Sequence, residues 1–151
     1  MKNLICLFVF SLVFTGCSTQ RLDSEGHTYS EDITFRIIRV MSKKISEADM
    51  SRTTYISKGG RFKVFTMEFK NNSSEEKTID FEEFQLMDKN KKVYNIKLVM
   101  DGFNSSFDDF DNMKKTIKAG KKKTFYAEFW PSFPKDQEVH LLMRGTEIKL
   151  Q

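Results

Sequence analysis

The hydrophobic pattern changes character twice along the chain and divides it into three parts. Leu4 to Phe14 is an eleven-residue apolar run broken only by Ser11. Ser18 to Glu31 follows, rich in Ser, Thr, Gln, Asp, Glu and Gly and almost without apolar side chains. From Asp32 onward, apolar residues recur at every second position in short bursts, the period of strands that turn one face to a core. The first burst is Ile33, Phe35 and Ile37, after which Ile38 and Val40 continue out of phase, so a β-bulge is expected near Ile37 and Ile38. Arg61 to Lys70 is the clearest strand, with Lys63, Phe65, Met67 and Phe69 on one side and Phe62, Val64, Thr66 and Glu68 on the other, the second side becoming polar along its length. Further bursts are Thr78 to Phe81, Phe84 to Met87, Val93 to Met100, Lys123 to Trp130, Val139 to Met143, and Ile148 with Leu150. Ser42 to Arg52 fits either a loop with a helical turn or a continued edge strand.

Turn chemistry separates the bursts: Gly59-Gly60, Asn71 to Glu76, Asp88 to Lys91, Ala119-Gly120 and Gly145. Pro131 and Pro134 are expected to end the strand that begins at Lys123. Seven to eight short strands without a long amphipathic helix predict an all-β, antiparallel sandwich over 32–151 with phenylalanine supplying much of its core.

The leading apolar run is too short to cross a bilayer, which takes about 20 residues, and with Lys2 before it and small residues after it reads as a secretory leader. Thr15 and Gly16 directly before Cys17 resemble a bacterial lipobox, with Phe14 where an aliphatic residue is usual. The resemblance implies a signal peptide over 1–16, diacylglycerol on the Cys17 thiol, and fatty acylation of the new amino terminus. The other readings are an ordinary secreted protein with an incidental Cys17, or a short buried segment of the fold. Residues 17–31 would then be a flexible tether carrying a solvated His27, spanning roughly 20 Å as a coil.

Charge and cysteine usage narrow the classes. Removing Lys2 with the leader leaves 24 basic against 21 acidic residues, a net charge of +3, mixed in sign along the chain. That distribution argues against a nucleic-acid surface. The two cysteines are Cys6, in the leader, and Cys17, so thiol nucleophiles, zinc-thiolate sites and disulfides are excluded from the body. The domain must fold on packing alone.

Several motifs together resemble the DUF4352 family: Val64 to Asn72, Phe84 to Asp88 followed by Lys92-Val93-Tyr94, Ile117 to Gly120, and Ala127 to Pro131. The similarity covers roughly Asp32 to Gln151. It implies an exported or lipid-anchored protein with an immunoglobulin-like sandwich of the MPT63 type, and it brings no catalytic residues or ligand.

Three features are candidates for function. Asp101, Asp108, Asp109 and Asp111 offer hard oxygen ligands of the kind calcium takes, or else form a solvated loop pinned by Phe103, Phe107 and Phe110. Lys114, Lys115, Lys118, Lys121, Lys122 and Lys123 would meet anionic headgroups or an acidic polymer, or else discourage strand edges from pairing. Tyr126 and Trp130, with Phe133 nearby, form a binding face for a sugar, peptide or protein if Tyr126 and Trp130 lie outward, opposite Phe125 and Phe129, or else a second buried face. No catalytic motif is present, and the neighbouring carboxylates Glu82 and Glu83 would point apart on a strand. The sequence thus leads to a non-enzymatic bacterial envelope lipoprotein without a cofactor. Its membrane contact, at the cell or outer membrane, is through Cys17, and its partner is an envelope or extracellular protein or glycan. The rivals are a structural accessory protein and, more distantly, a carboxylate-dependent hydrolase.

Overall fold

The alternating bursts become strands in the computed structural model, which describes residues 26–47, 54–102, 112–135 and 137–148. In chain order these are β1 (His27–Ser30), β2 (Ile33–Lys43), β3 (Ile45–Ser46), β4 (Tyr55–Ile56), β5 (Gly60–Asn71) and β6 (Lys77–Asp80). After a 3₁₀ turn at Phe81–Glu83 come β7 (Phe84–Met87), β8 (Val93–Asp101), β9 (Lys114–Ile117), β10 (Lys122–Pro134), β11 (His140–Met143) and β12 (Thr146–Ile148). Eight of them form one sheet in the order β1-β2-β5-β10-β8-β7-β11-β12, while β3 pairs with β4 and β6 with β9. All pairings are antiparallel.

The long strands β5 and β10 lie side by side at the centre. One side of this part of the sheet carries Ile33, Phe35 and Ile37 of β2, Phe65, Met67 and Phe69 of β5, and Phe125, Ala127 and Phe129 of β10, all buried. The other end of the sheet folds back over them: the Phe84 ring of β7 lies 5.4 Å from Phe35 and 6.0 Å from Phe69. Phe81, from the 3₁₀ turn, reaches within 5.2 Å of Phe125. The result is the antiparallel β-sandwich that the alternation predicts, closed around a phenylalanine core. The expected bulge is present, as the β2–β5 register shifts between Ile37 and Arg39 and leaves Ile38 as the extra residue.

Two expectations are corrected. His27–Ser30, assigned to the tether, is β1 and pairs with β2. Tyr29 is the cause: its ring is buried and stacks 5.9 Å from Phe84, and its hydroxyl accepts the Asp80 N–H at 3.0 Å. His27 is half-buried, with its ring 5.3 Å from Phe35. Pro131 does not end β10, which continues to Pro134. Pro131 is tolerated because pairing with β5 is interrupted between Phe129 and Phe133, and Pro134 is the last residue of the strand, opposite Gly60. The second side of β5 follows its sequence pattern, with Phe62, Val64 and Thr66 buried, Glu68 half-buried and Lys70 exposed.

Polar side chains fix the turns. Asn71 is fully buried; its amide donates to the carbonyls of Glu75 (2.7 Å) and Ile117 (2.9 Å) and its oxygen accepts the Ser73 N–H at 2.9 Å. This ties the β5–β6 turn to the β9–β10 turn, where Gly120 takes a positive φ of 64° that a side chain would disfavour. Asp88 accepts from the Asn90 and Lys92 N–H groups and from the Tyr94 hydroxyl. Burial alone would raise the Asp88 carboxyl, but these donors outweigh it and hold the group below the ordinary aspartate range. Burial, with the Asp88 charge beside it, pushes Tyr94 up to about 12. Arg144, in the β11–β12 turn, donates to Glu83 at 2.7 Å and to the Tyr29 carbonyl at 3.0 Å, fastening the last hairpin to β1.

Candidate functional site

Side chains opposite the main core form a second face on β2, β5 and β10. Strand register sets them in rows: Arg36, Glu68 and Thr124; then Arg39, Thr66 and Tyr126; then Met41, Val64 and Glu128. Tyr126 and Trp130 alternate with Phe125 and Phe129 and therefore belong to this face, as the sequence suggests. Phe133 does not. It shares the parity of Phe125 and Phe129 and so enters the main core, where it is 1% exposed and lies 4.9 Å from Tyr94.

The β3–β4 hairpin explains why the upper part of this face is covered. Tyr55 of β4 meets the Trp130 ring edge-on at 4.6 Å, and Phe62 stacks on that ring from the other side at 4.8 Å. Ser57 accepts the Gly60 N–H at 2.9 Å, closing the connection into β5. Gly60 has no alternative, because a Cβ there would run into the Phe133 carbonyl. Trp130 is therefore half-buried within an aromatic stack, so the covered-face alternative holds for its ring. Its indole N–H donates to Glu128 Oε1 at 3.2 Å. Glu128 is fully buried, and Lys43 Nζ stands 2.6 Å from its other oxygen. That oxygen has no directed hydrogen bond, so the Lys43 contact is electrostatic and poorly aligned.

On the outer side of the same hairpin, Ile45 and Ile56 are cross-strand partners and are 48% and 66% exposed. With Val93 they are the exposed large apolar residues among those described. Asp101 ends β8 and forms an ion pair with Lys123; Asp108, Asp109 and Asp111 lie outside the described residues, as does Cys17. Among the described residues no group of three or more His, Cys, Asp or Glu is placed to hold a metal ion.

Within the lysine cluster, Lys115 is buried, Lys114 lies 3.9 Å from Asp80, and Lys122 lies 3.4 Å from Glu68. Glu83 is paired with Arg144, whose guanidinium holds its carboxyl below the usual range. His140 begins β11, next to the edge strand β12, and Glu147 at 2.7 Å raises its pKa. A groove of about 440 Å³ lined by Glu82, Asn95, Ile96, Lys97 and Met113 opens elsewhere on the surface. Among the described residues no helix is long and apolar enough to cross a membrane.

Sequence reasoning missed Arg39, Lys43, Thr66 and Glu128 as members of one face. The alternation around Tyr126 and Trp130 already places Glu128 with them, but its burial depends on the hairpin, which carries no strong strand signal of its own.

The chain is similar in fold to solved bacterial structures. A conserved hypothetical protein from Bacillus anthracis matches with a TM-score of 0.56 and 17% identity, over 87% of this chain and 95% of that one. An uncharacterized β-sandwich protein from Clostridium difficile 630 matches with a TM-score of 0.55 and 14% identity, over 84% and 89%. The yjhA protein from Bacillus subtilis matches with a TM-score of 0.52 and 16% identity, over 80% and 77%. No protein-family profile and no curated protein matches the sequence. At these identities the likeness establishes the β-sandwich fold.

Proposed function

We propose that the protein is a bacterial envelope lipoprotein, attached to its membrane through Cys17, whose immunoglobulin-like domain of the DUF4352 type binds another envelope or extracellular protein. The role is recognition, not catalysis. The observation that carries this reading is the solvent-facing Ile45–Ile56 pair on a hairpin held against the Trp130 stack. Two β-branched side chains exposed side by side on a buttressed hairpin give a partner a preformed apolar contact. Attachment rests on the leader and lipobox-like sequence. Acyl chains contribute about 0.8 kcal/mol per buried methylene, so the domain need not supply its own membrane-binding surface.

Photo-crosslinking in intact cells, from a reactive residue placed at Lys44, tests recognition. A discrete crosslinked species is expected with the wild type and is expected to disappear in Ile45→Ser/Ile56→Ser. Because both side chains are exposed, the double variant should unfold within about 0.5 kcal/mol of wild type. Retention of the same species by the double variant would assign the domain to the structural, ligand-free role instead. Attachment is tested separately by metabolic labelling with a radioactive fatty acid: label is expected in the wild type and absent from Cys17→Ala. Label that persists in that variant refutes lipidation at this residue.

A further inference from the structure

Four buried side-chain polar atoms among the described residues lack a hydrogen-bond partner, and three of them, Arg39 Nε, Thr66 Oγ1 and Glu128 Oε2, lie on the second face in neighbouring rows. Glu128 Oε2 is at least neutralised by Lys43. The other two have no such compensation. Arg39 and Thr66 stand directly opposite each other on β2 and β5, which puts their Cβ atoms roughly 4.5–5.5 Å apart. A buried donor left without an acceptor forfeits its hydration and gains nothing in return, so two adjacent ones call for a common explanation. Arginine can only donate and the threonine hydroxyl can donate, so one acceptor group between them would satisfy both.

The charges around them favour an anionic acceptor. Arg36, Arg39, Lys43, Lys70 and Lys122 share this face of β2, β5 and β10 with Glu68 and Glu128. Glu68 is already occupied by Arg36 at 3.0 Å and Lys122 at 3.4 Å, and Glu128 by Lys43, so among the described residues neither carboxylate of this face is paired with Arg39. Thr66 is 6% exposed, sunk between the half-buried Arg39 and Tyr126. A planar guanidinium beside a recessed hydroxyl is an arrangement suited to an oxyanion.

We propose that Arg39 and Thr66 form a binding subsite for a single oxyanion, the carboxylate or phosphate group of a larger ligand, with Tyr126 as its wall. The subsite uses a different part of the domain from the hairpin and stands independently of it. The test is an NMR titration of the full-length protein with acetate and, separately, with phosphate, each at constant ionic strength against chloride. A saturable shift of the Arg39 Nε–Hε and Thr66 amide resonances is expected. Tighter saturation by acetate identifies a carboxylate ligand, and tighter saturation by phosphate a phosphorylated one. Arg39→Gln and Thr66→Val should each weaken the response at the remaining probes tenfold or more. Thr66→Val should melt at or above wild type in chloride, because it removes an unmade hydrogen bond. No saturation beyond chloride, undiminished affinity in both variants, or a clear fall in the melting temperature of Thr66→Val would each overturn the subsite.

Discussion

Phe69→Ala is expected to lower the unfolding free energy by about 3–5 kcal/mol. The ring is fully buried and sits where the two layers meet: Phe35 is stacked on it at 5.2 Å and Phe125 lies 5.9 Å away within its own layer. Phe81 at 5.5 Å and Phe84 at 6.0 Å approach from the opposite layer, and Tyr29 of β1 lies 6.1 Å away. Five aromatic neighbours cannot all collapse into the space one ring leaves, because each is held by its own strand or turn, so the cavity persists. The loss is large against the 5–15 kcal/mol that holds a typical domain together. No disulfide restrains the unfolded chain, since the two cysteines are Cys6 and Cys17. Urea unfolding should show a reduced midpoint with an unchanged slope, and Phe69→Leu, which keeps part of the volume, should lose less. A change below about 1 kcal/mol for the alanine variant would mean that the two layers do not depend on this contact.

Alternation made much of this core legible. Phe65, Met67 and Phe69 on β5 and Phe125, Ala127 and Phe129 on β10 follow period two without interruption, and the bulge at Ile38 announces itself as a phase shift. Where pairing distant in sequence decides the structure, the local pattern misleads. Tyr29 looks like an isolated aromatic in a polar stretch, and only Phe84 and Asp80, more than fifty residues away, make it a core residue. Pro131 carries a strong stop signal that the interrupted register neutralises. Asn71-Asn72 reads as a generic turn, whereas the Asn71 amide is bonded to the Ile117 carbonyl on β9. The second face shows the same limit. Its membership follows from alternation, but the burial of Thr66 and Glu128 depends on which loops and hairpins fold over them. That is a matter of tertiary packing, which overrides the polarity of individual positions.

Lys43→Met should be nearly as damaging as the core substitution, for an electrostatic reason. Glu128 is fully buried beneath Trp130 and the hairpin, and the Lys43 ammonium stands against it at 2.6 Å. Methionine keeps most of the lysine stem but removes its charge, leaving a carboxylate in a site water does not reach, a change that costs about 3–5 kcal/mol. The pair itself is not a strong source of stability, since the Lys43 contact is poorly aligned and Glu128 Oε2 has no directed hydrogen bond. The two statements together predict a distinctive coupling. Glu128→Gln preserves an acceptor for the Trp130 indole, now bonded at 3.2 Å, and removes the charge that needs Lys43. The double variant Lys43→Met/Glu128→Gln should therefore recover most of the stability that Lys43→Met loses. Urea unfolding of the wild type, the two single variants and the double variant measures this as a double-mutant cycle, with a coupling of about 2 kcal/mol or more expected. If the double variant is as unstable as the sum of the singles, the second face is held by the packing of Phe62, Trp130 and Tyr55 alone, and the buried ion pair is incidental to it.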